Sequence, residues 1–99
     1  MTFEFVETSD QDRRSGYVAD LTLHFLTGPL TGWRLIGWRI YETRDGHRSV
    51  LYPSRHYTTN GERRSIALLR TDRRPRQEEL NARILAAYDA WVNPPIPRV

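Results

Sequence analysis

The stretch 52–69, YPSRHYTTNGERRSIALL, decides how this chain is read. Two β-like runs, RSVLY at 48–52 and RRSIALL at 63–69, flank a polar loop. Asn60-Gly61 supplies turn chemistry there, because glycine takes positive φ without a steric penalty. The loop is also basic and aromatic. Arg55, His56, Tyr57, Arg63 and Arg64 place guanidinium groups, an imidazole and a stacking surface within ten residues, the set that a phosphate-bearing or single-stranded partner calls for. A solvated hairpin whose arginines serve only solubility uses the same residues, so the loop alone does not choose between the two readings.

Working outward, residues 3–7 alternate apolar and acidic side chains as a short edge strand does, and the polar segment 8–16 reads as its exit loop. Tyr17, Ala19, Leu21, Leu23 and Phe25 share one face of a second strand, opposite Asp20, Thr22 and His24. In residues 33–41, Leu35 and Tyr41 point one way while Ile36, Trp38 and Ile40 point the other, so both faces of the third strand ask for cover. A second copy of the chain is the simplest cover, and a homodimer is expected. The fourth and fifth strands are the pair around the basic loop, and residues 71–76 read as a polar connection containing Pro75.

From Gln77 the period becomes helical, with Leu80, Ile84, Ala87, Tyr88 and Trp91 on one stripe. Glu78 and Glu79 suit the positive N-terminal end of that helix, and Pro94-Pro95 ends it. The expectation is a single α+β domain over 1–93, a twisted, mostly antiparallel sheet of about five strands with one C-terminal helix. Residues 94–99 form a Pro-rich tail, extended as polyproline II or mobile. Trp33, Trp38, Tyr41 and Trp91 fall on regular strand or helix phases and read as core or interface. Tyr57, in the loop, reads as a stacking platform or as a ring buried against the helix.

The order of these segments resembles the stage V sporulation protein G (SpoVG) family. In that family a strand reading roughly A-S-I-T-L precedes one ending R-V-I-D-G, followed by M-P-S-[KR]-R-x-x-x-G-E-x-R-D-I-A and a short C-terminal helix. The corresponding words here are ADLTL at 19–23, WRIYETRDG at 38–46, YPSRHYTTNGERRSIA at 52–67 and ILAAY at 84–88. The resemblance spans 3–91, and its close matches are P-S-R, G-E-x-R and I-A. It implies a regulator that binds DNA or RNA as a dimer. The chain departs from the pattern at Ser65, where the family has Asp, and at Leu68-Leu69, where it has His-Pro. The turn Gly28-Pro29-Leu30-Thr31-Gly32 is additional, and the first strand is acidic where the family's is often basic.

Ninety-nine residues suit one domain with a modest core, which association would supplement. The chain has no cysteine, so neither a disulfide framework nor a thiolate metal site is possible. The longest apolar run, 84–88, is far too short to span a bilayer, and the N-terminus lacks a signal pattern, so a cytoplasmic protein without a membrane partner is expected. The net charge of +3 conceals an uneven distribution. Residues 1–12 carry Glu4, Glu7, Asp10 and Asp12 with no arginine, leaving the other 87 residues with 15 cations against eight acids, a net of +7. All 15 cations are arginine, which forks onto phosphates and stacks on bases better than lysine does, although the codon usage of a GC-rich genome yields the same bias.

Catalytic chemistry has little to draw on. His24, His47 and His56 lie on a strand, in a turn and in a loop, with no helical i, i+4 pair, so neither a metal nor a cofactor is expected. Ser54 has no nucleophile-elbow context. One enzyme class has its residue types together: a small ribonuclease, with Arg55 on phosphate and His56, Tyr57 or Glu62 moving protons. The expectation is nevertheless a non-enzymatic nucleic-acid-binding regulator whose site is Arg55, His56, Tyr57, Arg63 and Arg64, with no catalytic residue. A protein-interaction module, a phage or host accessory factor holding an acidic partner on the same arginines, is the alternative.

Overall fold

Alternation of apolar and polar residues makes β2 (Tyr17–His24) a strand with one buried face. The computed structural model, which describes residues 1–94, is built around it. β2 pairs antiparallel with β1 (Thr2–Glu7) on one side and β3 (Arg34–Glu42) on the other, and β4 (Arg48–Leu51) completes a meander in the order β1-β2-β3-β4. A short helix, α1 (Asp10–Arg14), joins β1 to β2. β5 (Ser54–Thr59) and β6 (Glu62–Ala67) form a separate two-stranded sheet, and α2 (Arg74–Val92) packs on the meander. The class is therefore α+β, with antiparallel sheets and one C-terminal helix, as the sequence leads one to expect.

Ala19, Leu21 and Leu23 of β2 meet Trp38 and Ile40 of β3 and Ile84 and Tyr88 of α2 in one fully buried cluster. Burial of side chains of this size contributes about 1.5 to 3 kcal/mol each, and this cluster is what holds the helix to the sheet. Two further contacts fix the helix's far end. Phe5 of β1 stacks on Trp91 at 5.7 Å and meets Tyr88 edge-on at 5.8 Å. Arg48 of β4 lies 5.0 Å from the Tyr88 ring centroid and donates to the Asp89 carboxylate.

The strand count is six rather than five, because the polar loop is itself a strand. Residues 54–59 carry no apolar alternation, yet they pair with 62–67 in continuous register from Ser54↔Ala67 to Thr59↔Glu62. The two-residue turn between them has positive φ at both Asn60 (52°) and Gly61 (78°), the hairpin geometry whose twist matches that of paired strands. Residues 48–51 meanwhile belong to the meander and pair with β3, not with the run at 63–69. The segment 8–16 also holds more structure than a loop: Ser9 caps α1, its Oγ accepting from the Asp12 backbone N–H at 3.2 Å. Helix α2 starts three residues before the expected Gln77. Pro75 sits in its first turn, where a missing N–H costs nothing, so Glu78 and Glu79 fall beyond that turn.

β3 carries the main correction. Leu21 faces Trp38 but Leu23 faces Leu35, so β3 has one residue more than β2 over this interval. The extra residue is a bulge at Ile36-Gly37, and Gly37 takes φ of 96°, which a side-chain-bearing residue rarely adopts. The bulge reverses the alternation. Leu35, Trp38 and Ile40 all pack toward the helix, and Ile36 is turned out, 70% exposed. β3 thus does not present two apolar faces, and the reason first given for a second copy falls away.

The face away from α2 is covered by charge instead. Arg39 donates to Asp20 at 2.8 Å and to Asp12 of α1 at 2.9 Å, lies 4.8 Å over the Tyr17 ring, and Tyr17 meets Tyr41 edge-on. The hydrogen bond to Asp20 raises the Arg39 pKa above its ordinary value, with partial burial opposing it and Asp12 adding to it. Tyr17 is accordingly not in line with Ala19, Leu21 and Leu23, because the register shifts between Tyr17 and Ala19. Trp33 is also outside the core: it closes the β2–β3 loop through its carbonyl, which accepts from Phe25 N–H at 3.1 Å, and its ring is 67% exposed. Of the tail expected at 94–99, residues 95–99 lie outside the described residues.

Candidate nucleic-acid interface

β5 and β6 form an arm. No residue from Ser54 to Ala67 is buried, and Pro53 at its base is. Pro53 packs against Gly37, and its carbonyl accepts from Leu68 N–H at 2.8 Å, so the arm leaves the meander from a fixed joint. The described residues extend over 61 × 38 × 25 Å, with a radius of gyration of 15.4 Å against about 13 Å for a compact chain of this length.

Strand alternation divides the five candidate residues between the arm's two faces. Arg55, Tyr57 and Arg64 share one face, Tyr57 directly across from Arg64 and Arg55 across from Ile66. His56 and Arg63 share the other, His56 across from Ser65 and Thr58 across from Arg63. The Tyr57 ring is exposed and does not pack on the helix. Arg64 donates to Glu62 at 3.1 Å, whereas Arg55 and Arg63 have no acidic partner within ion-pair distance among the described residues. Exposed guanidinium groups of this kind keep full hydration and remain available to a phosphate.

The same alternation separates the parts of a ribonuclease. His56 extends from the face opposite Arg55, Tyr57 and Glu62, so the four residue types are adjacent in sequence but are not gathered round one reacting phosphate. Among the described residues no group of three His, Asp or Glu is placed to hold a metal ion, and no helix is long and apolar enough to cross a membrane.

A second group of cations was not singled out from the sequence. Residues 70–76, RTDRRPR, follow the arm directly and carry Arg70, Arg73, Arg74 and Arg76 against Asp72 alone. The charge run is visible in the sequence, but it coincides with a Pro-containing connection and reads as solvated linker. In the fold it returns from the base of the arm into α2, so one continuous segment, 54–76, holds seven of the 15 arginines and two acids. Arg74 is partly matched by Glu78 at 3.3 Å.

Four of the 12 acidic groups lie at the far edge of the meander. Glu4, Glu7, Asp10 and Asp12 belong to β1 and α1, and β1 is the edge of the sheet opposite β4, from which the arm departs. This distribution favours the approach of a polyanion from the arm's side. No family model, curated protein or solved structure matches this chain.

Proposed function

We propose that this chain is a small non-enzymatic regulator that binds DNA or RNA in the cytoplasm, acts as a homodimer, and grips the sugar-phosphate backbone with the arm and the basic segment behind it. The observation that carries this reading is the arm itself. An isolated two-stranded hairpin is at best marginally stable in water, and this one buries none of its residues, carries three arginines and a tyrosine outward, and leads into four more arginines. Such an element suits an extended polyanion better than a packed protein surface. The segment order that resembles the SpoVG family belongs to the same reading.

The dimer rests on exposed apolar side chains, of which only Ile36 is among those the alternation pointed to. Trp33, Ile36 and Leu68 are each more than half exposed, and a second copy would cover them. Light scattering at micromolar concentration is expected to give twice the 11.7 kDa of the chain. Protein purified without nuclease is expected to carry absorbance at 260 nm that nuclease removes. Clean protein that instead retains an acidic polypeptide would favour the protein-interaction reading, and a monomeric mass would remove the dimer.

Tyr57→Ala separates stacking from charge. A stacked base makes this change cost about 1 to 3 kcal/mol of binding while leaving the salt dependence almost unaltered, since a neutral ring releases no counterions. The exposed ring predicts a melting temperature close to the parent's. Unchanged affinity for a single-stranded oligonucleotide would exclude Tyr57 from the interface.

A further inference from the structure

The His56 face of the arm does not stop at the arm's base. A shallow concavity at His56, Tyr57, Thr58 and Arg63 shares His56 with a groove along β4, where Leu51 and Ser65 form part of the walls. That groove in turn shares Tyr52 and Ala67 with a cavity of about 500 Å³ set between β6, the basic segment and the start of α2. The groove also has Tyr17 and Arg39 in its walls and so opens on the face of the sheet away from α2, whereas the cavity lies beside the helix.

The cavity beside α2 has two kinds of wall. Tyr52, Ala67, Leu69 and Leu80 give it an apolar lining, and Arg70 and Arg76 stand at its side. Neither arginine has an acidic partner within ion-pair distance among the described residues. Thr71 and Gln77 add hydroxyl and amide groups at the margin. Tyr52 is held in place: its hydroxyl donates to the Asn81 side chain at 2.6 Å, and burial pushes its pKa up, so the group stays a neutral donor. Its ring centroid lies 4.5 Å from that of Trp38.

The size falls within the usual range for small-molecule sites, about 300 to 1,000 Å³. A bare phosphate would meet the arginines and leave the apolar walls wet, and an aliphatic chain would do the reverse. A nucleotide has a flat apolar body, a polar edge and a phosphate, and each finds a counterpart here.

The geometry points to a nucleobase pocket: the cavity at Tyr52, Leu69 and Leu80 takes one base of a bound single strand, with Arg70 and Arg76 on its phosphate and Gln77 at the base edge. This inference rests on the nucleic-acid reading and adds a second, separately testable contact to it.

The test is a titration of the full chain with adenosine monophosphate, followed through the methyl resonances of Ala67, Leu69 and Leu80. These are expected to shift saturably, and inorganic phosphate at the same concentration is expected to leave them in place. Combining Arg70→Ala with Arg76→Ala should weaken the mononucleotide at least about tenfold, because two charge-assisted hydrogen bonds are lost. Arg44→Ala, at an exposed turn away from both the arm and the cavity, should leave mononucleotide binding unaltered. Single-stranded oligothymidylate should move the same methyls at lower concentration than the mononucleotide does if the pocket serves a strand. Equal shifts from phosphate alone, or displacement of the nucleotide by polyglutamate, would overturn the inference. If the oligonucleotide binds through the arm and the three methyls do not move, the pocket fails while the nucleic-acid reading stands. If neither probe binds, both fail.

Discussion

Replacing Arg55, Arg63 and Arg64 together with Ala is expected to weaken binding to all nucleic-acid sequences alike and to flatten its salt dependence. Each phosphate contact releases condensed counterions, so each one lost lowers the slope of log affinity against log salt by about 0.9 for duplex and about 0.7 for single strands. Three contacts give a change of about 2 to 3. The lower end is expected, because Arg64 already donates to Glu62 in the free protein and must exchange that partner for phosphate. Sequence preference should not alter, since backbone contacts position without specifying. The variant should melt with the parent, because all three side chains are exposed and changes at such sites are usually worth less than about 0.5 kcal/mol. Filter binding across a salt series measures the slope. An unaltered slope with intact affinity would move the interface away from the arm and leave the acidic-partner reading ahead.

Ile84→Ala is expected to produce the largest loss of stability. Ile84 is fully buried in α2 and belongs to the cluster that joins the helix to Leu21, Leu23, Trp38 and Ile40. Truncating a side chain in such a setting costs about 2 to 5 kcal/mol, through lost transfer energy and the cavity left behind. A domain of this size has about 5 to 15 kcal/mol in total and shifts by about 4 to 8 °C per kcal/mol, so the melting temperature should fall by on the order of 10 °C or more. Arg83→Ala, one residue earlier and exposed, is the control and should stay within about 0.5 kcal/mol of the parent. Equal melting temperatures for the two variants would mean that α2 does not pack on the sheet through Ile84.

The two predictions probe regions that were unequally legible. The helix announces itself through Leu80, Ile84 and Tyr88, whose spacing is local and survives any tertiary arrangement; Ile84 and Tyr88 are indeed the buried pair. The arm does not announce itself in this way. Residues 54–59 are polar throughout, and a two-sided polar strand has no apolar face to mark its period, so only the run at 63–67 and the Asn60-Gly61 turn pointed to it. The five candidate residues all fall on that arm, but their division between its faces depends on register. Arg70, Arg73, Arg74 and Arg76 are not legible as a site, because a charge run beside a proline reads as linker until the fold brings it back against the arm's base.

Composition and local pattern by themselves determined the α+β class, the half-buried second strand, the amphipathic helix, the tight turn at Asn60-Gly61 and the concentration of arginine away from an acidic N-terminus. Those properties depend on near neighbours: a turn needs positive φ at adjacent residues, and a stripe needs a period of 3.6. The tertiary structure decided which side of β3 is inside, which strand pairs with β6, and which arginines share a surface. The bulge at Ile36-Gly37 shows the reason. Alternation is read on the assumption that the pleat continues, and one inserted residue reverses it. Whether that residue is inserted is set by Leu21 and Leu23 on the neighbouring strand and by Pro53 packed against Gly37, contacts that a sequence brings together only when it folds.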